Sequence, residues 1–311
     1  MAASLLTLEL RRRNRDILHS VDCWLDEETW RNARDGYGCP DFAFPKLSLR
    51  VGLDPTCTDV LVAVAALVPQ PVRYLELGVS VGKNLYVVAR ALEGATVYGL
   101  DWEAVCPVLA RELARAGRAP PAAEPGTTRF EVGRTAVTYV QGDELDAATW
   151  RRLAGNRFGL VFSDALHTPE ALAFEVDQLI GHGLLDPEGF VMVWDDLGPS
   201  DMDGGFWRLA ARLRAALPGT TAFKARVNGW LGEHEPAHRI GIASNVGLTH
   251  DRIFGFLSGA TLRYADLIAG LRGGAGRILP APVKGVLRRL LRRAGLNRPR
   301  RTQSARQGSH D

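Results

Sequence analysis

None of the four cysteines of this 311-residue chain stands in a C-x-x-C pair or in a Cys/His cluster at zinc-ligand spacing. Cys23, Cys39, Cys57 and Cys106 therefore exclude a zinc ribbon and a disulfide framework, which points to a reduced, cytoplasmic setting. Long apolar runs are missing as well. The longest, Val60 to Val68, falls well short of the ~20 residues that a spanning helix needs. At the N-terminus the short apolar run of MAASLLTLELRRRNRD precedes its arginines, the reverse of a secretory signal. No internal repeat is visible.

Excess charge is scarce too, and what there is sits at one end. Residues 284–311 hold nine lysines and arginines against Asp311 alone, a tail of +8 on a chain of net +3, so the body is mildly acidic. Such a body does not advertise nucleic-acid binding, and none is expected. With 46% hydrophobic residues the chain can bury a full core, and one catalytic α/β domain with terminal additions fits its length.

The pattern divides the chain into three. Residues 1–70 read as an N-terminal helical or lid segment, with helices around Leu5–Ser20 and Glu27–Arg34 and a Gly/Pro/Asp-rich loop from Asp35 to Pro55. From residue 71 to 245, short apolar runs alternate with turns and helical stretches, the signature of βαβ units. Strands are expected at Val72–Leu77, Thr96–Asp101, Thr138–Gln141, Leu160–Ser163, Phe190–Trp194, Ala222–Val227 and Arg239–Ala243. Helices fill the gaps at Asn84–Ala91, Val105–Ala116, Ala147–Ala154, Pro169–Ile180 and Phe206–Leu217. Too few residues separate the last two strands for a helix, so they form an antiparallel hairpin on an otherwise parallel, doubly wound, Rossmann-like sheet of seven strands. The stretch APPAAEPGTT reads as a surface insertion, and 246–311 as a helical extension ending in a basic, disordered tail.

The stretch YLELGVSVGKN, Tyr74 to Asn84, admits three loops. Gly78-Val79-Ser80-Val81-Gly82 spells the G-x-S-x-G of a hydrolase elbow, but no HGGG-type segment precedes it and Val72–Leu77 is the first convincing strand. A phosphate loop fails on spacing. The remaining pattern, E-x-G-x-x-x-G, is a nucleoside-cofactor loop, supported by Asp101 at the end of the next strand, where a carboxylate can accept both ribose hydroxyls. Glycines allow the tight turn and close backbone approach, while an acidic Glu76 favours a ligand bearing an ammonium group.

This combination resembles motif I and the second-strand acid of the class I S-adenosylmethionine (SAM) methyltransferases, over roughly Val72 to Ser244. The resemblance implies SAM as cofactor, with Glu76 and Gly78 at the methionine end, Ser80 and Gly82 in the cofactor-binding loop, and Asn84 on the carboxylate at the helix start. It also implies Asp101 on the ribose, Trp102 beside the adenine and Asp143 near its amino group, although Asp143 reads equally as a cap or turn residue.

Two further strands end in acids, in LVFSDALH and FVMVWDDL. Ligands of an open α/β sheet gather at the carboxyl ends of its strands, so Asp164, Asp195 and Asp196 converge on the edge where the methyl donor would lie, and three oxygen donors suit Mg²⁺ better than zinc. The arrangement resembles the metal-dependent small-molecule O-methyltransferases, and the spacing Asp164 to His167 is similar to the macrolide-sugar and cephalosporin-biosynthesis group. That resemblance implies a small-molecule hydroxyl acceptor and His167 as the base that takes its proton. Alone, Asp164 reads as a helix cap and Asp195-Asp196 as a turn.

In the loop NGWLGEHEPA, Trp230 and His234 are candidates for acceptor contact, or else members of a plain hairpin turn. The tail VKGVLRRLLRRAGLNRPRR puts apolar residues on one helical face beside arginines, which suits peripheral contact with an anionic membrane or polyanion, or a solvated terminus. Rival functions are a hydrolase using Ser80 with Asp196 and His234, and a SAM-fold binding protein without catalysis. Amino-methylation of nucleic acid is disfavoured because the fourth strand ends in SDAL rather than [DNS]-P-P-[YF]. Nothing in the sequence signals an oligomeric state.

Overall fold

The computed structural model describes residues 4–21, 52–119, 124–197, 200–228 and 238–255. The chain divides into two units, Met1–Gly259 and Ala260–Asp311, and every described residue belongs to the first. In chain order the elements begin with α1 (Leu8–His19), α2 (Cys57–Val64), β1 (Arg73–Leu77), α3 (Lys83–Ala91), β2 (Thr96–Asp101), α4 (Pro107–Ala116), β3 (Gly117–Arg118), β4 (Thr127–Val132) and β5 (Thr135–Gln141). There follow α5 (Ala147–Arg151), β6 (Leu160–Ser163), α6 (Pro169–Gly181), β7 (Val191–Trp194), α7 (Ser200–Ala216), β8 (Thr221–Val227), β9 (His238–Ser244) and α8 (His250–Phe254). The tail, the lid loop, Trp230 and His234 lie outside the described residues.

The sheet runs β3-β4-β5-β2-β1-β6-β7-β9-β8. Its middle strands are parallel, and β9 is antiparallel to both β7 and β8, as the short last connection requires. Strands β6 and β7, LVFS and VMVW, are buried at every residue, which is what a sheet covered on both faces demands of its central strands. On one face Tyr74, Val97, Phe162 and Val193 pack with α1 to α4; on the other Leu75, Leu77, Val161 and Met192 pack with α5 to α7.

The expected count of seven strands is corrected to nine among the described residues. The two missed strands, β3 and β4, extend the sheet antiparallel beyond β5. Residues TTRFEV alternate in burial, and Gly133-Arg134 links Val132 to its partner Thr135 as a two-residue turn with Gly133 at φ +61°. Helix α7 also starts earlier than expected, at Ser200 rather than Phe206, and runs through Gly204 and Gly205. Burial of Met202, Phe206, Leu209 and Leu213 offsets the helix cost of two glycines, about 1 kcal/mol each.

The N-terminal segment is tied into this body. Arg15 on α1 reaches the fully buried Asp59 of α2 at 2.6 Å, and Asn14 donates to the same carboxylate at 2.9 Å. Asp59 also accepts the Thr56 amide, capping α2. Helix α2 thus opens onto the carboxyl edge of the sheet, where Thr56 bridges Asn228 after β8 and Asn228 donates to Pro55 at 2.8 Å.

Candidate functional site

The turn from β1 to α3 is built on two glycines for two different reasons. Gly78 has φ +78°, and a Cβ there would lie 2.3 Å from the Asp164 carbonyl, so the end of β6 comes too close for any side chain. Gly82 has φ +79° and caps α3, but its missing Cβ would meet the Leu109 side chain at 2.2 Å. The space that Gly82 leaves open is filled from the core side by Leu109. Ser80 between them holds φ +51°, a conformation uncommon for a residue with a side chain.

Asp101, at the end of β2, binds this turn. Its Oδ2 accepts the amides of Val79 at 2.6 Å and Ser80 at 2.8 Å, and its Oδ1 accepts that of Glu103 at 3.0 Å. A carboxylate offers about four acceptor sites, so one remains for a ligand hydroxyl. Glu76 is 1% exposed, accepts the Tyr74 hydroxyl at 2.7 Å, and is also hydrogen-bonded by the Leu85 backbone. Burial drives its carboxyl well above the usual range, against the Tyr74 bond, with the charges of Asp164 and Asp101 adding to the rise. Asn84 stands in the first turn of α3, where its side-chain oxygen accepts the Thr58 hydroxyl of α2.

Past the next strand ends, Trp102 is 69% exposed, with its indole donating to Glu103 at 2.8 Å. Asp143 accepts the Leu145 amide at 2.8 Å, which makes it a turn residue, whereas the cap of α5 is Asp146. Trp102, Leu145 and Leu166 are large exposed apolar side chains following β2, β5 and β6, so apolar surface collects along one edge beside the acids.

The three acids after β6 and β7 come together, and with two imidazoles rather than one. His167 lies 3.3 Å from Asp164 and 3.6 Å from Asp196; His238 lies 2.7 Å from Asp195 and 3.5 Å from Asp196. The capping role for Asp164 is taken by Thr168, which accepts the Ala171 amide at the start of α6. Asp196 stands at φ +50°, a strained position that turns the chain back toward the cluster. Burial pushes Asp164 up to about 7, helped by the Asp195 charge and opposed by His167. Burial of His167 works against its cation, but the contact with Asp164 and the charges of Asp196 and Asp195 outweigh it, so its titration moves upward.

Of the two imidazoles, His167 is the accessible one, with 28% of its side chain exposed against 9% for His238. His238 escapes a motif search because nothing local marks it. Topology does: an antiparallel β9 must begin at the carboxyl edge of β7, so its first residue faces the acids after Trp194. Thr58 escapes likewise, coming from a helix outside the recognised region.

Among the described residues, no three His, Cys, Asp or Glu side chains are arranged to hold a metal ion. The carboxylates expected to bind magnesium are each directed to an imidazole instead. No helix among the described residues is long and apolar enough to cross a membrane. Cys57 and Cys106 are both buried thiols.

No protein-family model matches the sequence, and no curated protein matches it. Solved structures do. The O-methyltransferase TomG of Streptomyces achromogenes, involved in tomaymycin synthesis and solved with SAM, is 21% identical over 70% of this chain and 89% of its own, with a TM-score of 0.43. An O-methyltransferase of Bacillus cereus, solved with SAH, is 18% identical over 71% and 90%, also at 0.43. The chain's own strand order, a parallel core closed by the antiparallel β9, makes the fold a doubly wound, Rossmann-like one.

Proposed function

We propose that the chain is a SAM-dependent O-methyltransferase acting on a hydroxyl of a sugar or another small secondary metabolite. One observation carries the choice of cofactor: Glu76, Asp164 and Asp195 stand near enough to one another beside the glycine turn for the charge of one to raise another's titration, Asp164 reaching about 7. Such a cluster of acids repels a pyrophosphate and attracts a cation. SAM supplies a methyl group on a positively charged sulfonium, together with an ammonium. Asp101, with one acceptor site left, suits a ribose hydroxyl, and Trp102 and Leu145 offer apolar surface for a base.

In the transfer, the acceptor oxygen forms a bond to the methyl carbon as the carbon–sulfur bond breaks, and the hydroxyl proton must leave. His167 is the base that receives it, being exposed to the edge and flanked by Asp164 and Asp196, which stabilise the imidazolium. His238 holds Asp195 in place from the interior. The carboxylates as placed do not fit a magnesium ion, so no step is routed through one; chelation decides the point.

The test is calorimetry with SAM and S-adenosylhomocysteine across pH 6 to 8.5. SAM is expected to bind more tightly than the uncharged thioether above pH 7, with the preference shrinking as Asp164 is protonated. No heat with either ligand would refute the proposal.

A serine hydrolase has the positive φ of Ser80 in its favour; labelling by a fluorophosphonate would support it. The +8 tail is proposed as a handle for anionic membrane or polyanion, and its deletion is expected to abolish sedimentation with anionic liposomes at low salt.

A further inference from the structure

A second acid pair lies on the opposite face of the sheet from Glu76 and has no part in the chemistry above. Glu175 on α6 is 0% exposed and Glu144, in the loop after β5, is 9% exposed. Each has one oxygen accounted for: Glu175 Oε2 accepts the Ser163 hydroxyl at 2.7 Å, and Glu144 Oε1 accepts the Leu166 amide at 3.0 Å. Among the described residues, no N–H or O–H donor reaches the other two oxygens, the buried Glu144 Oε2 and Glu175 Oε1. Each carboxyl group shifts the other's titration, lowering Glu144 and raising Glu175, the pattern that follows when Glu175 carries a proton toward Glu144.

Two ionised carboxylates in contact, out of water, would repel, and two orphaned oxygens would each cost about 1–3 kcal/mol. A single proton removes both penalties. Carried on Glu175, whose carboxyl burial drives well above the usual range, it lets Glu175 donate to Glu144 and leaves Glu144 charged for the Leu166 amide. The chain of contacts then runs Ser163, Glu175, Glu144, Leu166. Leu166 is one of the two residues between Asp164 and His167, neither with chemistry of its own, and Glu144 follows Asp143 in the loop expected beside the adenine. Glu144 is itself anchored, since the Trp150 indole donates to its carbonyl at 2.6 Å.

We infer that Glu144 and Glu175, joined by one shared proton, are positioning residues that set the Asp164–His167 turn and couple it to the loop of Asp143. The inference rests on His167 being the base, and its test reads the turn without an acceptor.

The measurement is the histidine C2–H titration of the full chain by proton NMR, with the His167 signal assigned through His167→Gln. Glu144→Met fills the space but removes the acceptor of Leu166, so the turn loosens, the 3.3 Å contact with Asp164 is lost, and the His167 midpoint falls toward its ordinary value. Glu175→Gln is expected to preserve the midpoint, because its carboxamide supplies the hydrogen that the shared proton supplied. A folded Glu144→Met protein with an unshifted His167 would overturn the inference. The native chain provides a reading that needs no variant: the Leu166 amide must exchange slowly with solvent, and fast exchange also overturns it. Native protein that shows the NMR behaviour yet gives no heat with S-adenosylhomocysteine would sink the methyltransferase reading and leave the positioning pair standing.

Discussion

Ser80 donates its backbone amide to Asp101 Oδ2 at 2.8 Å, and so ties the glycine turn to the end of β2. The acid that the pattern assigns to a ribose is therefore also a structural staple. Asp101→Ala orphans the amides of Val79, Ser80 and Glu103, and is expected to cost on the order of 1–3 kcal/mol of stability as well as SAM affinity. Asp101→Asn keeps one acceptor oxygen and loses less of both. Thermal unfolding without ligand separates the roles: an unchanged Tm for Asp101→Ala would mean that the staple contributes nothing.

The two turn glycines fail differently. Gly78→Ala sets a Cβ against the β6 backbone at a positive φ, where conformation alone costs about 1–3 kcal/mol, and no side-chain motion relieves it. Gly82→Ala carries the same strain of a positive φ, but its Cβ meets the Leu109 side chain and not backbone. Its penalty is expected to shrink in a Leu109→Ala background, with a coupling of about 0.5–3 kcal/mol in a double-mutant cycle read by denaturant unfolding. Additive penalties would place the steric conflict elsewhere.

The strands legible in the sequence were those whose composition leaves no choice: LVFS and VMVW are apolar throughout, and Thr96–Asp101 matches its expected bounds. Strand β4 is hidden in the sequence because its first residues, Thr127 and Thr128, end the Pro-rich stretch APPAAEPGTT and leave only RFEV to show the alternation. The site divides in the same way. Glu76, Gly78, Asp101 and Asp164 follow strands or turns that sequence reveals, whereas His238, Thr58 and the Glu144–Glu175 pair owe their places to contacts between distant segments, the shortest of them separated by 26 residues or more for the first two. Sequence spacing cannot carry that information; strand order can.

Asp164 gives a stability signature with a definite sign. Its carboxyl in the folded chain titrates at about 7, above the ordinary range, so its contribution is fully present below about pH 4 and is lost as pH rises through 7. Asp164→Asn removes that loss. With 31% of the side chain exposed, solvent screening reduces the effect to roughly 1–2 kcal/mol. The variant's Tm in the absence of ligand is expected to exceed the native value at pH 8 and to match it at pH 4. A lower Tm at pH 8 would show that the ionised form is held by favourable bonds.

The proton acceptor and the metal are separated by one set of rate measurements on an identified acceptor. His167 titrates above its ordinary value because of Asp164, Asp196 and Asp195, so a growing fraction is protonated as pH falls below neutral, and only the neutral imidazole can take a proton. Methyl transfer is thus expected to rise with pH along a single limb and level off above the His167 midpoint. His167→Gln should lose roughly 10²–10⁴-fold in turnover and recover partly at high pH, where the acceptor ionises unaided. Asp196→Asn lowers the His167 midpoint by removing a nearby charge and shifts the limb to lower pH, while leaving the plateau within a few-fold. A magnesium site would behave otherwise: EDTA would abolish turnover at every pH while SAM affinity persisted, and Asp196→Asn would lower the plateau rather than move the limb. The acids here are directed to His167 and His238, so turnover is expected to survive EDTA; loss of activity in EDTA, restored by added Mg²⁺, would replace the imidazole-only mechanism with a metal-assisted one.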